Sequence, residues 1–173
     1  MKTNETIATL ISGFRNPSIG IRHKAVKELA TYGECAIAPM ITVLQEDKDS
    51  NMWWYAAATL ARIGEPAIIP LLRSMNTHHE VGFRKYAAAA LGEIGAPAVE
   101  PIIEAMASDD RELRGFLSLA LCRIGKPAII PLTQHLESSN EIKKSCAALT
   151  LWQMGENGIV GLVENVKNNE TKK

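Results

Sequence analysis

The chain has 173 residues, 46% of them apolar, and carries 19 Lys and Arg against 19 Asp and Glu. That length suits one domain, and the apolar fraction is ordinary for a folded soluble protein. Zero formal charge excludes a long-range field that draws in nucleic acid or anionic lipid, and no run approaches the roughly 18 apolar residues that a membrane span needs.

The opening, MKTNETIATLISGF, carries one early Lys and no long apolar segment, so it does not read as a secretory signal. It predicts a helix over 4–14, followed by a second over 20–32 that stops at Gly33. Gly33 opens a series with Gly64, Gly95, Gly125 and Gly155, at spacings of 31, 31, 30 and 30 residues. Around the middle three runs one phrase: ARIGEPAIIPLL, GEIGAPAVEPII and CRIGKPAIIPLT. A period of this size means small stacked units, each unable to enclose a core alone.

The units are predicted at about 4–32, 35–63, 66–94, 97–124 and 127–154, with an extra helix over 157–168. Before each glycine, apolar residues step at helical spacing: Met52, Ala56, Leu60 and Ile63; Phe83, Ala87, Leu91 and Ile94; Leu113, Leu117, Leu121 and Ile124. Each glycine is expected at C′ with positive φ. Pro66, Pro97 and Pro127 then open the next helix, and Pro39, Pro70, Pro101 and Pro131 are expected to bend it. Polar clusters such as EDKDSN and SDDRE close the units and supply N-cap residues. In the last stretch the prolines are missing, Gly161 replaces the second one, and EIKKSCAALTL leaves its register open by one residue.

The recurring phrase, with Arg22, Arg84 and Arg114, the pairs Ala56–Ala57 and Ala87–Ala88, Leu60, Leu91 and Leu121, and the spaced glycines, resembles HEAT repeats. It is most similar to the short repeats of phycobilisome-lyase-type HEAT proteins. The resemblance implies an all-α fold, a right-handed α-solenoid of about five helix pairs plus a C-terminal helix. It places the Pro-containing helix outside and the Ala-Leu-Gly helix on a concave wall. The basic row Arg22, Arg84, Arg114 and Lys144, with Trp53 in the remaining place, is then expected to bridge Asp47, Asp49, Asp109 and Asp110 as a ladder.

On that wall the rows read His23, Trp54, Lys85, Gly115, Ser145; then Lys24, Tyr55, Tyr86, Phe116, Cys146; then Lys27, Ala58, Ala89, Leu119, Leu149. A partner-binding groove follows as an expectation: Trp54, Tyr55, Tyr86, Phe116 and Leu119 for contact, and Arg62, Lys85, Glu93 and Arg123 for orientation. The alternative is that Tyr55, Tyr86 and Phe116 wedge between helices as core.

Catalysis finds no support. Deoxyhypusine hydroxylase, a relative by fold, holds iron with His-Glu pairs directly after the row Arg. Here those places hold His23–Lys24, Trp54–Tyr55, Lys85–Tyr86, Gly115–Phe116 and Ser145–Cys146. The one His-Glu, His79–Glu80, falls in a turn. HEAT-like DNA glycosylases use a sustained cationic surface, and Glu28, Glu93 and Glu112 interrupt any here. Cys35, Cys122 and Cys146 show no metal spacing and fit reduced thiols in a cytoplasm.

The reading is therefore a non-enzymatic scaffold with no metal or cofactor, holding an unidentified protein or peptide. The alternative is a phycobilin-lyase-like binder or carrier of a small hydrophobic cofactor. The final helix, with Ile159, Leu162, Val163 and Val166, either folds over the fifth unit or mediates a homodimer.

Overall fold

The computed structural model describes residues 2–170, with side chains over 5–163. Among the described residues it is all helix, an α-solenoid of helix pairs. The helices gather into two compact units, Met1–Ile94 and Gly95–Lys173. The first holds α1 (Lys2–Ser12), α2 (Ile19–Thr31), α3 (Glu34–Glu46), α4 (Ser50–Ile63), α5 (Ile68–Thr77) and α6 (Val81–Ile94). The second holds α7 (Val99–Ala105), α8 (Arg111–Ile124), α9 (Ile129–His135), α10 (Glu141–Gln153) and α11 (Glu156–Glu170).

The faces read from periodicity are the buried ones. Met52, Ala56 and Leu60 on α4, Phe83, Ala87 and Leu91 on α6, and Leu113, Leu117 and Leu121 on α8 are buried. Ala56, Ala57, Ala87 and Ala88 are buried too, and their small size lets α4 and α6 pack closely. α10 keeps the register of α8: Ala147 and Leu151 stand where Leu117 and Leu121 do, and both are buried. Lys143 occupies the place of Leu113 and turns its ammonium to Glu104, 2.5 Å away. That hydrogen bond holds the Glu104 carboxyl below its ordinary value.

No single helix among the described residues is long and apolar enough to cross a membrane. α8 passes that test only jointly with Lys126–His135, bent from it by 117°. The Leu113, Leu117, Leu121 and Leu132 side chains of that pair are core.

All five spaced glycines have positive φ, and no other described residue does. Positive φ is as expected, but the position differs by one from the expected C′ where the cap is defined. Gly64 is the C-cap itself, at φ 83° and ψ −141°, with its N–H on the Leu60 carbonyl. Gly125 is alike at φ 75° and ψ −133°. This region is closed to L side chains by backbone clash. A Cβ at Gly64 or Gly125 would meet nothing within 4 Å, so the glycine is required by conformation and not by crowding. Gly64→Ala is expected to lower unfolding stability by about 1–3 kcal/mol, read from the urea midpoint at unchanged slope.

The first proline of each phrase stands where the next helix opens, as expected. Where Pro66, Pro97 and Pro127 stand, the chain first makes a 3₁₀ turn (Glu65–Ala67, Ala96–Ala98, Lys126–Ala128), and the α-helix starts only afterwards. Where Cys35 replaces that proline, α3 runs as α-helix from Glu34 with Pro39 inside it. Proline disfavours α geometry in the residue before it, which loosens the first turn. Pro70, Pro101 and Pro131 consequently fall in the first turn of a fresh helix, where a missing N–H costs little.

The turns cap helices as expected. Asp49 accepts from the Asn51 N–H, Asp110 from Leu113, and Asn140 from Ile142 and Lys143. In the basic row Arg84 and Arg114 donate to carbonyls, a use that the expected ladder did not include, and Lys144 lies 3.9 Å from Glu141. Arg84 is fully buried and donates Nε to the Met75 and His78 carbonyls at 3.1 and 2.9 Å. Arg114 donates to the Ser108 carbonyl at 2.7 Å. Trp53 replaces an arginine, yet its indole N–H does the same work on the Asp47 carbonyl at 2.7 Å. All three satisfy carbonyls in the turn before their own helix. Asp47 is instead paired with Arg15 at 2.5 Å.

Helix α11 seats on α10 and α9. A Cβ at Gly158 would lie 1.9 Å from the Leu151 carbonyl oxygen, and one at Gly161 would lie 2.9 Å from the Thr133 hydroxyl. Gly158 stands where Ala67, Ala98 and Ala128 do and Gly161 where Pro70, Pro101 and Pro131 do, and both permit close approach. Packing on the fifth pair, one of the two sequence alternatives, is what these contacts show. The expected Val166 contribution lies outside the described side chains.

Candidate functional site

The expected groove residues divide between the two units. In the first, Trp54 is 51% exposed on α4. Its neighbour Tyr55 is only 6% exposed, against the expectation of a contact residue. One residue along a helix turns the side chain about 100°, and that turn carries Tyr55 into the layer between α4 and α2. Its ring lies 5.4 Å from Phe14, 4.9 Å from Trp54 and 6.3 Å from His23, with the Arg22 guanidinium 5.5 Å from its centroid. Tyr55 is therefore core support beneath Trp54. Tyr86 is half-buried, its ring edge-on to Trp53 at 5.6 Å. Arg62, Lys85 and Glu93 are exposed.

In the second unit Phe116 is half-buried, and Leu119 and Arg123 are exposed. Between α8 and α10 opens a cleft of about 520 Å³. Its cause is lost bulk. In the row that holds His23, Trp54 and Lys85 in the first unit, the second unit has Gly115 and Ser145. Both line the cleft. The walls include Ile142 and Leu149, and the floor is polar. The Ser118 hydroxyl lies 2.7 Å from Gln153 Oε1 and 2.9 Å from the Thr150 hydroxyl. Arg111, Arg114 and Glu141 stand at the end nearer the helix N-termini. A second hollow of about 390 Å³ shares Gly115 and Gln153 and adds Phe116, Leu119 and Glu112.

Leu149 and Trp152, at 62% and 66% exposure, were not among the expected contact residues. Leu149 was legible, since it follows Leu119 in its row. Trp152 was hidden by the uncertain register of α10. The value of Gly115 and Ser145 was not legible, because a gap between helices is invisible until both flanks are placed.

The Cys122 and Cys146 thiols are poor nucleophiles. Burial raises the Cys122 thiol above its ordinary value, although a hydrogen bond to Ser118 opposes it. Burial raises Cys146 likewise, against the pull of the Arg114 guanidinium. Thiolate is the reactive form, so Cys35, which is exposed, should be the one fast-labelling thiol at pH 8. Mass-spectrometric counting with iodoacetamide checks this; three equal rates would contradict it. Among the described residues no group of three or more His, Cys, Asp and Glu gathers as a metal site. His79 and Glu80 have structural uses: His79 Nδ1 lies 2.9 Å from Arg84, and Glu80 accepts from the Phe83 N–H at 2.6 Å.

The family model for HEAT repeats matches residues 7–89 and, overlapping, 37–115. The chain belongs to the HEAT-repeat family. HEAT repeats generally serve as protein-interaction scaffolds. Among solved structures, an engineered protein is similar at 20% identity over 94% of this chain and 85% of that one, with a TM-score of 0.34. A de novo designed 16-helix transmembrane nanopore is 15% identical over 95% of this chain and 54% of that one, with a TM-score of 0.26. At these scores neither likeness bears on what this HEAT protein does. No curated protein matches it.

Proposed function

We propose that the chain is a non-enzymatic scaffold that holds a peptide, helix or protein surface against the solvent-facing sides of its second helices. One observation carries the reading. Leu119, Leu149 and Trp152 project from α8 and α10 largely exposed, on faces turned from the buried Leu117, Leu121, Ala147 and Leu151. Burying such side chains stabilises a complex by about 1.5–3 kcal/mol each. Apolar groups clustered with small clefts are what a docking surface needs. In the first unit we assign Trp54 and Tyr86 as contact residues, with Arg62, Lys85 and Glu93 for orientation; in the second, Phe116, Leu119 and Arg123. Tyr55 is left out, being buried.

The three free cysteines support a reducing compartment, which we read as cytoplasm. Self-association through α11 belongs to the same reading, since Val160 and Val163 remain exposed after the helix has seated.

Photocrosslinking tests the scaffold. Benzoylphenylalanine at Leu119 or Trp152 should trap a discrete protein in cells of the native host. The same probe at Lys126, exposed at the turn into α9, should not. Equal trapping at both, or none at Leu119 and Trp152, would remove the reading.

A further inference from the structure

We infer that the cleft between α8 and α10 is a binding site for a short extended peptide carrying a carboxylate at one end and a bulky apolar side chain further along. The inference rests on the scaffold reading and narrows it to one site and one chemistry. The cleft follows α10 from Glu141 to Gln153, about 18 Å at 1.5 Å per residue. That is room for about five extended residues at ~3.3 Å each.

Charge selects the carboxylate. Arg111 is exposed, and no carboxylate pairs with it among the described residues. Arg114 is partly exposed and spends one nitrogen on the Ser108 carbonyl. Glu141, the one acidic residue lining the cleft, is offset by Lys144 at 3.9 Å. Two arginines and one carboxylate therefore line the same end, and positive charge is in excess there. A planar fork is the donor set that matches a carboxylate.

The other end selects an apolar side chain. Leu149 lines it and is mostly exposed, while Ile142 adds apolar surface nearer Glu141. Gln153 has its Oε1 engaged by the Ser118 hydroxyl, so its amide N–H groups are the free donors. With the Ser145 hydroxyl they provide polar contacts for a peptide backbone.

Two substitutions separate this site from the rest of the surface. Gly115→Trp restores the bulk that Trp54 provides in the first unit. A Cβ at Gly115 meets nothing within 4 Å, so the new side chain starts into open space. Arg111→Glu reverses the charge at a helix start, where an acidic residue suits the dipole. The probe is a set of fluorescein-labelled pentapeptides with one Asp and one Leu or Phe, measured by polarisation on the full chain. Resonance mapping on ¹⁵N-labelled protein locates the contact.

The expected result is saturable binding that shifts the Ser118, Ser145 and Gln153 resonances. Gly115→Trp should weaken it at least about tenfold, and Arg111→Glu about fivefold. Peptides with Lys in place of Asp should lose most of the affinity. Binding indifferent to the Asp-to-Lys exchange, or unaffected by Gly115→Trp, overturns the inference. Peptides that instead shift resonances around Trp54 and Lys85 overturn it while leaving the scaffold reading standing. No binding anywhere on the chain overturns the inference, and failed crosslinking at Leu119 and Trp152 would then remove the scaffold as well.

Discussion

Arg84→Met is expected to lower unfolding stability by about 3 kcal/mol, among the largest effects of any single substitution here. The methionine keeps the aliphatic stem, so packing is nearly preserved. What goes is the guanidinium that donates to the Met75 and His78 carbonyls and reaches His79 Nδ1. Arg84 is fully buried, so the Met75 acceptor is left in a place where water does not readily replace the donor. An orphaned buried acceptor costs about 1–3 kcal/mol. Releasing the guanidinium from its desolvated place works in the opposite direction. The loss still wins, because several acceptors stay behind when one donor group leaves. Arg84→Lys should recover less than half, since a point ammonium cannot serve a fork of acceptors. Arg114→Met should cost only about 1 kcal/mol, because Arg114 is partly exposed and water can take over the Ser108 carbonyl. Urea unfolding at unchanged slope measures all three. A loss below that of Arg114→Met would show that the Arg84 carbonyls are hydrated and the row is not a capping device.

Gly158→Val is the second large effect, expected at about 3 kcal/mol, with α11 released from α10. The clash is with backbone: a Cβ would stand 1.9 Å from the Leu151 oxygen and 2.7 Å from its carbon. Backbone cannot rotate aside as a side chain can, so the helix must move as a body. Lifting α11 also uncovers Leu151, which is fully buried. Gly161→Ala should cost less, near 1 kcal/mol, because its nearest obstacle is the Thr133 hydroxyl, a side-chain atom that can turn. Gly115→Ala should be neutral or stabilising by up to about 1 kcal/mol, having open space and helical φ. Amide exchange across α10 and α11 reads the difference. Unchanged protection in Gly158→Val would mean that α11 is not seated where its two glycines allow.

The two effects trace to different kinds of information. The period of the glycines and the steps Phe83–Ala87–Leu91 and Leu113–Leu117–Leu121 were plain in the chain, and they predicted helix faces that are in fact buried. Asp49, Asp110 and Asn140 were legible as caps because capping is settled within a few residues of sequence. The role of Arg84 was legible only in part: its row is regular, yet nothing local distinguishes an ion pair with an aspartate from a bond to a carbonyl. At Trp53 a neutral indole N–H fills a place in the row and reaches the Asp47 carbonyl, so at that place a donor serves without a charge.

What the chain alone determines is a run of helix pairs, where each pair stops, and which side of each helix seeks cover. Those are consequences of local backbone preference and of apolar spacing repeated every 30 or 31 residues. Tertiary packing decided the rest. It put Tyr55 beneath Trp54 instead of beside it, turned three prolines into 3₁₀ turns, and laid α11 on Leu151. It also opened a cleft where Gly115 and Ser145 leave space. The reason is geometric: a side chain's neighbours along the helix are set by its own sequence, but its neighbours across the gap belong to another helix. Burial, clefts and buried donors are properties of that second relation.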